Sequence, residues 1–265
     1  MGVMLINGCS HTAGSEIDFQ YQPICYEKSW GRWLTDLSGD EYINISMPGA
    51  GNEYIRRTTQ DWIIENVFLN KLYNKEDLHV IVMWSGFDRK EVYYPDSNQT
   101  DNVNPISDPK LHTKTMQYEI KRLQEVMVYF HDVLYSNLKN MMTLNDLLYF
   151  LNTHNIKYTF LNALNSFITL EELNYGYKKH VLYQSYYNNL WVFNEINKNK
   201  HLGIFNKENT FFHHLNDHTE FKWSEFSKKG HFGEDAHKYW ANKVYNFMND
   251  FVVEPKNEKI VKKLI

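Results

Sequence analysis

The residues best suited to chemistry in this sequence are a serine near one end and a histidine near the other. Ser10 lies in Asn7-Gly8-Cys9-Ser10-His11-Thr12-Ala13-Gly14, directly after an apolar run at 3–6. That pattern predicts a buried strand handing a serine to a tight turn before a helix. A serine hydroxyl is a weak nucleophile alone; it needs a general base within hydrogen-bond reach and donors for the oxyanion it creates. A helix start supplies donors, because its first backbone N–H groups are unpaired and its dipole favours negative charge. His231, in Lys228-Lys229-Gly230-His231-Phe232-Gly233, precedes a helical pattern and is the strongest base candidate. Gly49, in Met47-Pro48-Gly49-Ala50-Gly51, follows a second strand pattern, where bare backbone can approach a substrate closely. Each signal also has a plainer reading: Ser10 as a helix cap, and the glycines as residues that permit positive φ in a turn.

These groups need elements to position them. Strand patterns occur at 3–6, 42–46, 79–84 and 157–162. Between them, Trp30, Trp33, Leu34 and Leu37 recur at the spacing of one buried helix face, with Gly39 as the stop. Asn52 is placed to cap a helix running to about residue 66, and 115–155 reads as helix with a break near Asn140. The segment 88–114 is polar, holds three prolines and reads as a long functional or irregular loop, while 234–251 is a final amphipathic helix. Strands alternating with helices predict an α/β fold: a parallel sheet of about five strands between two helical layers, the fifth strand lying within 165–230 or just before the last helix. Ligands of such sheets bind beyond the carboxyl ends of the strands, where Ser10, Gly49 and Trp84-Ser85-Gly86 all fall. The expected organisation is one domain over 1–265, with a Tyr/Asn-rich insertion at about 163–230 and a short C-terminal tail at 253–265.

Composition narrows the classes. At 265 residues and 43% hydrophobic, the chain can bury one large core. A net charge of −4 without a basic block argues against nucleic acid as a partner. Two cysteines make no disulfide framework. No leader pattern and no apolar run of about 18 residues is present, so a cytoplasmic location without a membrane partner is expected. The 19 tyrosines, concentrated between about 90 and 225, suit either a face for a polar organic ligand or irregular loop packing. No Lys follows the glycines of 8–14, which excludes a phosphate-cradling P-loop. In the cluster His213, His214, Asp217 and His218, the adjacent His213 and His214 would not share a helix face while His214 and His218 would, and without a third ligand nearby neither a metal nor another cofactor is expected.

The blocks together resemble the SGNH, or GDSL-like, hydrolases, especially phage-type members. Gly8-Cys9-Ser10-His11-Thr12-Ala13-Gly14 is similar to the family's nucleophile block. Pro48-Gly49 is similar to its second block, and the ten-residue step from His231 to Ala241 resembles the spacing of its last. The resemblance implies a flavodoxin-like three-layer sandwich and metal-free ester or acyl hydrolysis. Ser10 would attack, His231 would take its proton, and the N–H groups of Ser10 and Gly49 would hold the oxyanion. Two departures stand out. Phe87 occupies the place of the family's oxyanion Asn, leaving Asn52 or Ser85 as a third donor. Lys228 and Lys229 occupy the place of the usual acid, leaving Glu225 or Asp217 to orient His231, a Ser–His dyad, or an inactive site. A frame pairing Glu234 with His237 is a further alternative. Trp84, Ser85 and Arg89 would contact substrate. The implied function is a serine-dependent esterase or acyl hydrolase, such as a carbohydrate esterase or deacetylase, acting on a small ester or acylated carbohydrate. The competing classes are an inactive binding or virion-associated structural protein with the same fold, and an acyltransferase using the same site. Oligomeric state stays open.

Overall fold

The computed structural model describes residues 2–18, 24–94, 99–103, 121, 133–167, 201–203, 206–218, 220, 221, 224 and 230–249. In chain order the elements are β1 (Val3–Gly8), α1 (Ser10–Ala13), α2 (Trp30–Ser38), β2 (Glu41–Asn44) and α3 (Asn52–Ile63). Then come β3 (Leu78–Trp84), β4 (Lys90–Tyr94), β5 (Gln99–Val103), α4 (Val133–Thr153) and β6 (Lys157–Asn162). The series closes with β7 (His201–Leu202), α5 (Phe211–Asp217) and α6 (Glu234–Asn249). Five strands form one sheet in the order β2-β1-β3-β6-β7, and every pairing in it is parallel. The expected α/β sandwich is therefore present, and its fifth strand is β7, inside the segment that showed no clean period.

Alternation along the strands sorts side chains to two faces. Val3, Leu5, Val80, Val82, Trp84 and Phe160 join one core cluster, into which α3 and α4 send Ile55, Ile63, Leu144 and Leu148. Met4, Ile6, Ile81, Met83 and Leu161 join the other, beneath α2, α5 and α6 with Trp30, Phe211 and Trp240. Strands buried on both faces read as continuous apolar runs, as 79–84 does. Among the described residues no helix is long and apolar enough to cross a membrane.

Five local expectations are corrected. Gly51, not Asn52, caps α3, because the Asn52 side chain turns inward to Ser85. The α-helix ends at Ile63 and continues as a wider π-turn through Leu69. Helix α4 runs unbroken through Asn140, whose amide bonds the Ser136 carbonyl one turn back. The polar segment after Asp88 contains the β4–β5 antiparallel hairpin, paired from Lys90–Val103 to Tyr94–Gln99. On α2, Trp30 and Leu34 are buried while Leu37 is exposed, so the buried stripe is narrower than its spacing implied. The insertion lies mostly, and the C-terminal tail wholly, outside the described residues.

Candidate active site

The order of the sheet reverses at β1, with β2 on one side and β3 on the other, and the ends of these strands are where sheets of this topology take their ligands. Ser10 follows the end of β1 as the first residue of α1, buried at 6% exposure, and Cys9 holds the cap position. The hydroxyl is therefore not a helix cap, and the Ser10 N–H, at the first helical position, has no intrahelical acceptor. Gly8 is required for packing: a Cβ there would overlap the Thr12 side chain and approach the Met83 carbonyl to 2.9 Å. Asn7, fully buried, locks the strand end by donating to the Ile55 carbonyl at 3.0 Å and reaching the Thr58 and Thr59 hydroxyls at 2.9 Å.

The second candidate donor sits in a tight turn tied to the first. The Met47 N–H bonds the Gly8 carbonyl at 3.1 Å, which pins the turn after β2 to the end of β1. Ala50 N–H bonds the Met47 carbonyl at 3.1 Å, with Pro48 and Gly49 between them and φ of 83° at Gly49. That is a type II turn, whose own hydrogen bond does not use the Gly49 N–H. Nothing lies within 4 Å of where a Gly49 Cβ would be, so this glycine is set by its backbone conformation and borders open space.

The residues expected to bind substrate divide. Arg89 Nη1 reaches the Ala50 carbonyl at 3.4 Å, beside Gly49, and is half-buried. Trp84 is 1% exposed and packs edge-on against Phe160, so it is a core residue and the substrate contact expected of it is not available. Asn52 and Ser85 brace each other: Ser85 N–H donates to Asn52 Oδ1 at 2.7 Å, and Asn52 Nδ2 donates to Asn140 Oδ1 at 2.7 Å. Both are buried, and the Asn52 amide is a strut between α3, the end of β3 and α4, not an exposed donor. The Ser85 hydroxyl is buried without a hydrogen-bond partner among the described residues.

His231 arrives from the far end of the chain. Its Nδ1 lies 2.9 Å from Glu16 Oε2, and its ring centroid lies 4.8 Å from that of His11. The histidine thus meets the turn that carries Ser10 through the neighbours of Ser10. No hydrogen bond to the Ser10 hydroxyl is seen among the described residues; in unliganded enzymes that contact often tightens only with substrate. The Ser224 N–H donates to the His231 carbonyl at 2.8 Å, and the Ser224 hydroxyl donates to the Glu16 carbonyl. His11 is buried against Phe211, and burial, reinforced by the nearby His231, Arg89 and His237, holds its pKa well below the ordinary histidine value.

The acids considered for His231 fall elsewhere. Glu225, Lys228 and Lys229 lie outside the described residues. Asp217 ends α5, where its charge acts on His213 and His214. The Glu234–His237 frame is excluded: Glu234 pairs with Lys28 and Lys238, and buried His237 accepts the Trp30 N–H on Nδ1 at 3.1 Å. Glu16 was missed because orienting acids are sought beside the histidine. The one local signal was an acid two residues past Gly14 in the nucleophile block itself. Among the described residues no group of three His, Cys, Asp or Glu side chains is placed to hold a metal ion. His214 and His218 instead sit against Tyr239, whose hydroxyl is 3.2 Å from His218 Nε2.

A family model described as a family of unknown function (DUF6071) matches residues 18–182, a span that includes Gly49, Asn52 and Arg89 and leaves Ser10 and His231 outside. No curated protein matches the chain in sequence. Among solved structures, an acetyl xylan esterase (Est2A) from the rumen bacterium Butyrivibrio proteoclasticus is similar at 15% identity and a TM-score of 0.46, over 93% of this chain and 63% of that one. The chain thus spans less than two thirds of Est2A. TesA is similar at 11% identity and a TM-score of 0.48, over 93% and 98% of the two chains. The psychrotrophic esterase EstA from Pseudoalteromonas sp. is similar at 12% identity and a TM-score of 0.46, over 94% and 97%. None of these supplies a role for a residue here.

Proposed function

We propose that this chain, which belongs to the family of unknown function DUF6071, is a serine-dependent hydrolase of small esters. The observation that carries the reading is the 2.9 Å approach of His231 Nδ1 to Glu16, which brings an imidazole from the last segment to the turn bearing Ser10. In the proposed reaction Ser10 Oγ attacks the ester carbonyl carbon and its proton passes to His231 Nε2. The carbonyl oxygen becomes an oxyanion held by the N–H groups of Ser10 and Gly49. The intermediate then collapses, and the leaving alkoxide takes the proton from His231. Water, deprotonated by the same imidazole, attacks the acyl-serine and releases the acid and the free hydroxyl. Arg89, whose Nη1 reaches the Ala50 carbonyl beside Gly49, is the proposed substrate contact. The sequence resemblance to phage-type SGNH hydrolases and the placement of Ser10 at the sheet's switch point support this reading. An acylated carbohydrate is the proposed natural class of substrate, resting on the aromatic insertion.

A second reading, a binding protein that keeps the fold without the reaction, is favoured by the missing Ser10–His231 hydrogen bond. One experiment separates the two. The wild-type chain is incubated with p-nitrophenyl acetate and, separately, with a fluorophosphonate. The hydrolase reading expects turnover and a single label on Ser10, both lost in Ser10→Ala. Neither turnover nor labelling between pH 6 and 9 (a range set by ordinary histidine and serine chemistry, about one to two units either side of neutrality) would leave the binding reading. Acetylated oligosaccharides tried against p-nitrophenyl acetate then test the substrate class.

A further inference from the structure

We infer that Glu16 is the carboxylate that orients His231, so that one short block of the chain supplies both the nucleophile and the acid of the site. The inference rests on the hydrolase reading above and adds a positioning residue to it. An orienting acid must meet the imidazole nitrogen that faces away from the nucleophile. Glu16 Oε2 is 2.9 Å from Nδ1, which fixes the proton on Nδ1 and leaves the lone pair of Nε2 for the serine proton. Both groups are shielded, with side chains 32% and 15% exposed for Glu16 and His231.

The pair is also held rigidly. Glu16 sits in the left-handed region at φ 59°, a conformation a non-glycine residue keeps only when its surroundings impose it. Those surroundings are visible: Ser15 N–H bonds the Ser10 carbonyl at 3.0 Å, and Cys25 N–H bonds the Gly14 carbonyl at 3.2 Å. The Ser224 hydroxyl donates to the Glu16 carbonyl while the Ser224 N–H donates to the His231 carbonyl. Acid and base are therefore joined twice, once through the ring and once through the backbone by way of Ser224. The His11 ring packs against the other side of the assembly at 4.8 Å from the His231 ring, which limits its rotation.

The test uses the full chain and compares Glu16→Gln, Glu16→Asp and Ser10→Ala with wild type. Glu16→Gln keeps the shape and an acceptor but removes the charge. The expected result is a kcat lower by about 10²- to 10⁴-fold, with KM changed by no more than about twofold, and partial recovery of kcat in Glu16→Asp. Nitrogen-15 NMR of the imidazole gives a second readout that does not depend on activity: the neutral His231 ring should carry its proton on Nδ1 in wild type. A Glu16→Gln enzyme with wild-type kcat, alongside an inert Ser10→Ala, overturns the role of Glu16 and leaves the hydrolase reading standing. A His231 proton on Nε2 overturns it as well, and does so even if Glu16→Gln fails to fold. A wild-type chain that neither turns over nor labels ends both.

Discussion

Ser10 and His11 are adjacent in sequence yet do opposite work. Ser10 opens the helix at the end of β1; His11 fills the space between Phe211 and His231, with ring centroids at 5.2 and 4.8 Å. Burial keeps His11 neutral near neutral pH, and its Nδ1 is buried without a hydrogen-bond partner among the described residues. A buried polar atom left unpaired is a cost, not a contact, so the ring serves as an aromatic wall. His11→Phe should keep that wall and change stability by less than about 1 kcal/mol. His11→Ala should lose about 3 kcal/mol through the cavity it opens, and in the proposed hydrolase it should lower kcat as the His231 ring loses its support. Urea titration and steady-state kinetics on the two variants check this. At this scale the sequence exposed what depends on local order: a serine at a strand end, a glycine after a proline in a turn, a histidine before a helix. It could not expose Glu16, because a carboxylate's partner is decided by which distant segment the fold brings back. Nor could it tell that Trp84, at the end of an apolar strand, faces the core while Arg89 five residues on reaches the turn of Gly49.

Between elements, polar groups do the aligning. Helices α2 and α6 meet through His237, whose Nδ1 accepts the Trp30 N–H, one of the unpaired donors that begin α2. Only a neutral imidazole can accept there. Burial, with a smaller effect of His231, pushes the His237 pKa down to about 3, and burial alone pushes His201 down to about 3. The unfolded chain binds a proton at each below about pH 6.5, where the folded chain does not. Stability is therefore full above about pH 6.5 and is lost as pH falls toward about 3, by about 1.4 kcal/mol per pH unit for each histidine. His237→Gln, whose side-chain oxygen can still accept from Trp30, should flatten that slope by one histidine's share when urea midpoints are compared across the range. On the other face of the sheet, Asn52 joins α3 to Ser85 and to Asn140 of α4. Asn52→Ala leaves a buried N–H and a buried amide oxygen unpaired and should cost about 2–3 kcal/mol. This strut also explains two misreadings of the sequence. An asparagine before a helical pattern looks like a cap, and one inside a helix looks like a break. Here both are buried and joined by one hydrogen bond from Asn52 Nδ2 to Asn140 Oδ1, while the Asn140 amide nitrogen donates to the Phe87 and Ser136 carbonyls.

Across the whole molecule, the two core clusters lie on opposite faces of one sheet and share its strands, since Val80 and Val82 belong to one and Ile81 and Met83 to the other. Neither face can open without exposing the strands of both, so the described core should unfold as one unit. Trp84 reports one face and Trp30 and Trp240 the other; all three are buried. Fluorescence and far-UV circular dichroism should give the same urea midpoint, and a Trp84→Phe variant should show the same coincidence; two separated transitions would mean the faces unfold independently. The sheet itself was readable because β1 and β3 are largely apolar runs, and β2 and β6 carry strand-forming Tyr, Ile, Thr and Phe over an ordinary strand length. The fifth is only two residues long, His201–Leu202, and a pair of residues has no period to detect. The hairpin after Asp88 was hidden for a different reason: its strands, Lys90–Tyr94 and Gln99–Val103, are too polar to alternate visibly. The meeting of Glu16 and His231 spans 215 positions along the chain. Contacts of such long range form late, because the ends of a long loop must be brought together before they are rewarded. During synthesis the turn that bears Ser10 must wait for the 215 positions that separate Glu16 from His231. In the proposed hydrolase, the circular dichroism signal of the sheet should therefore recover before turnover does in refolding, and the Glu16–His231 pair becomes a clock that marks the last step of assembly.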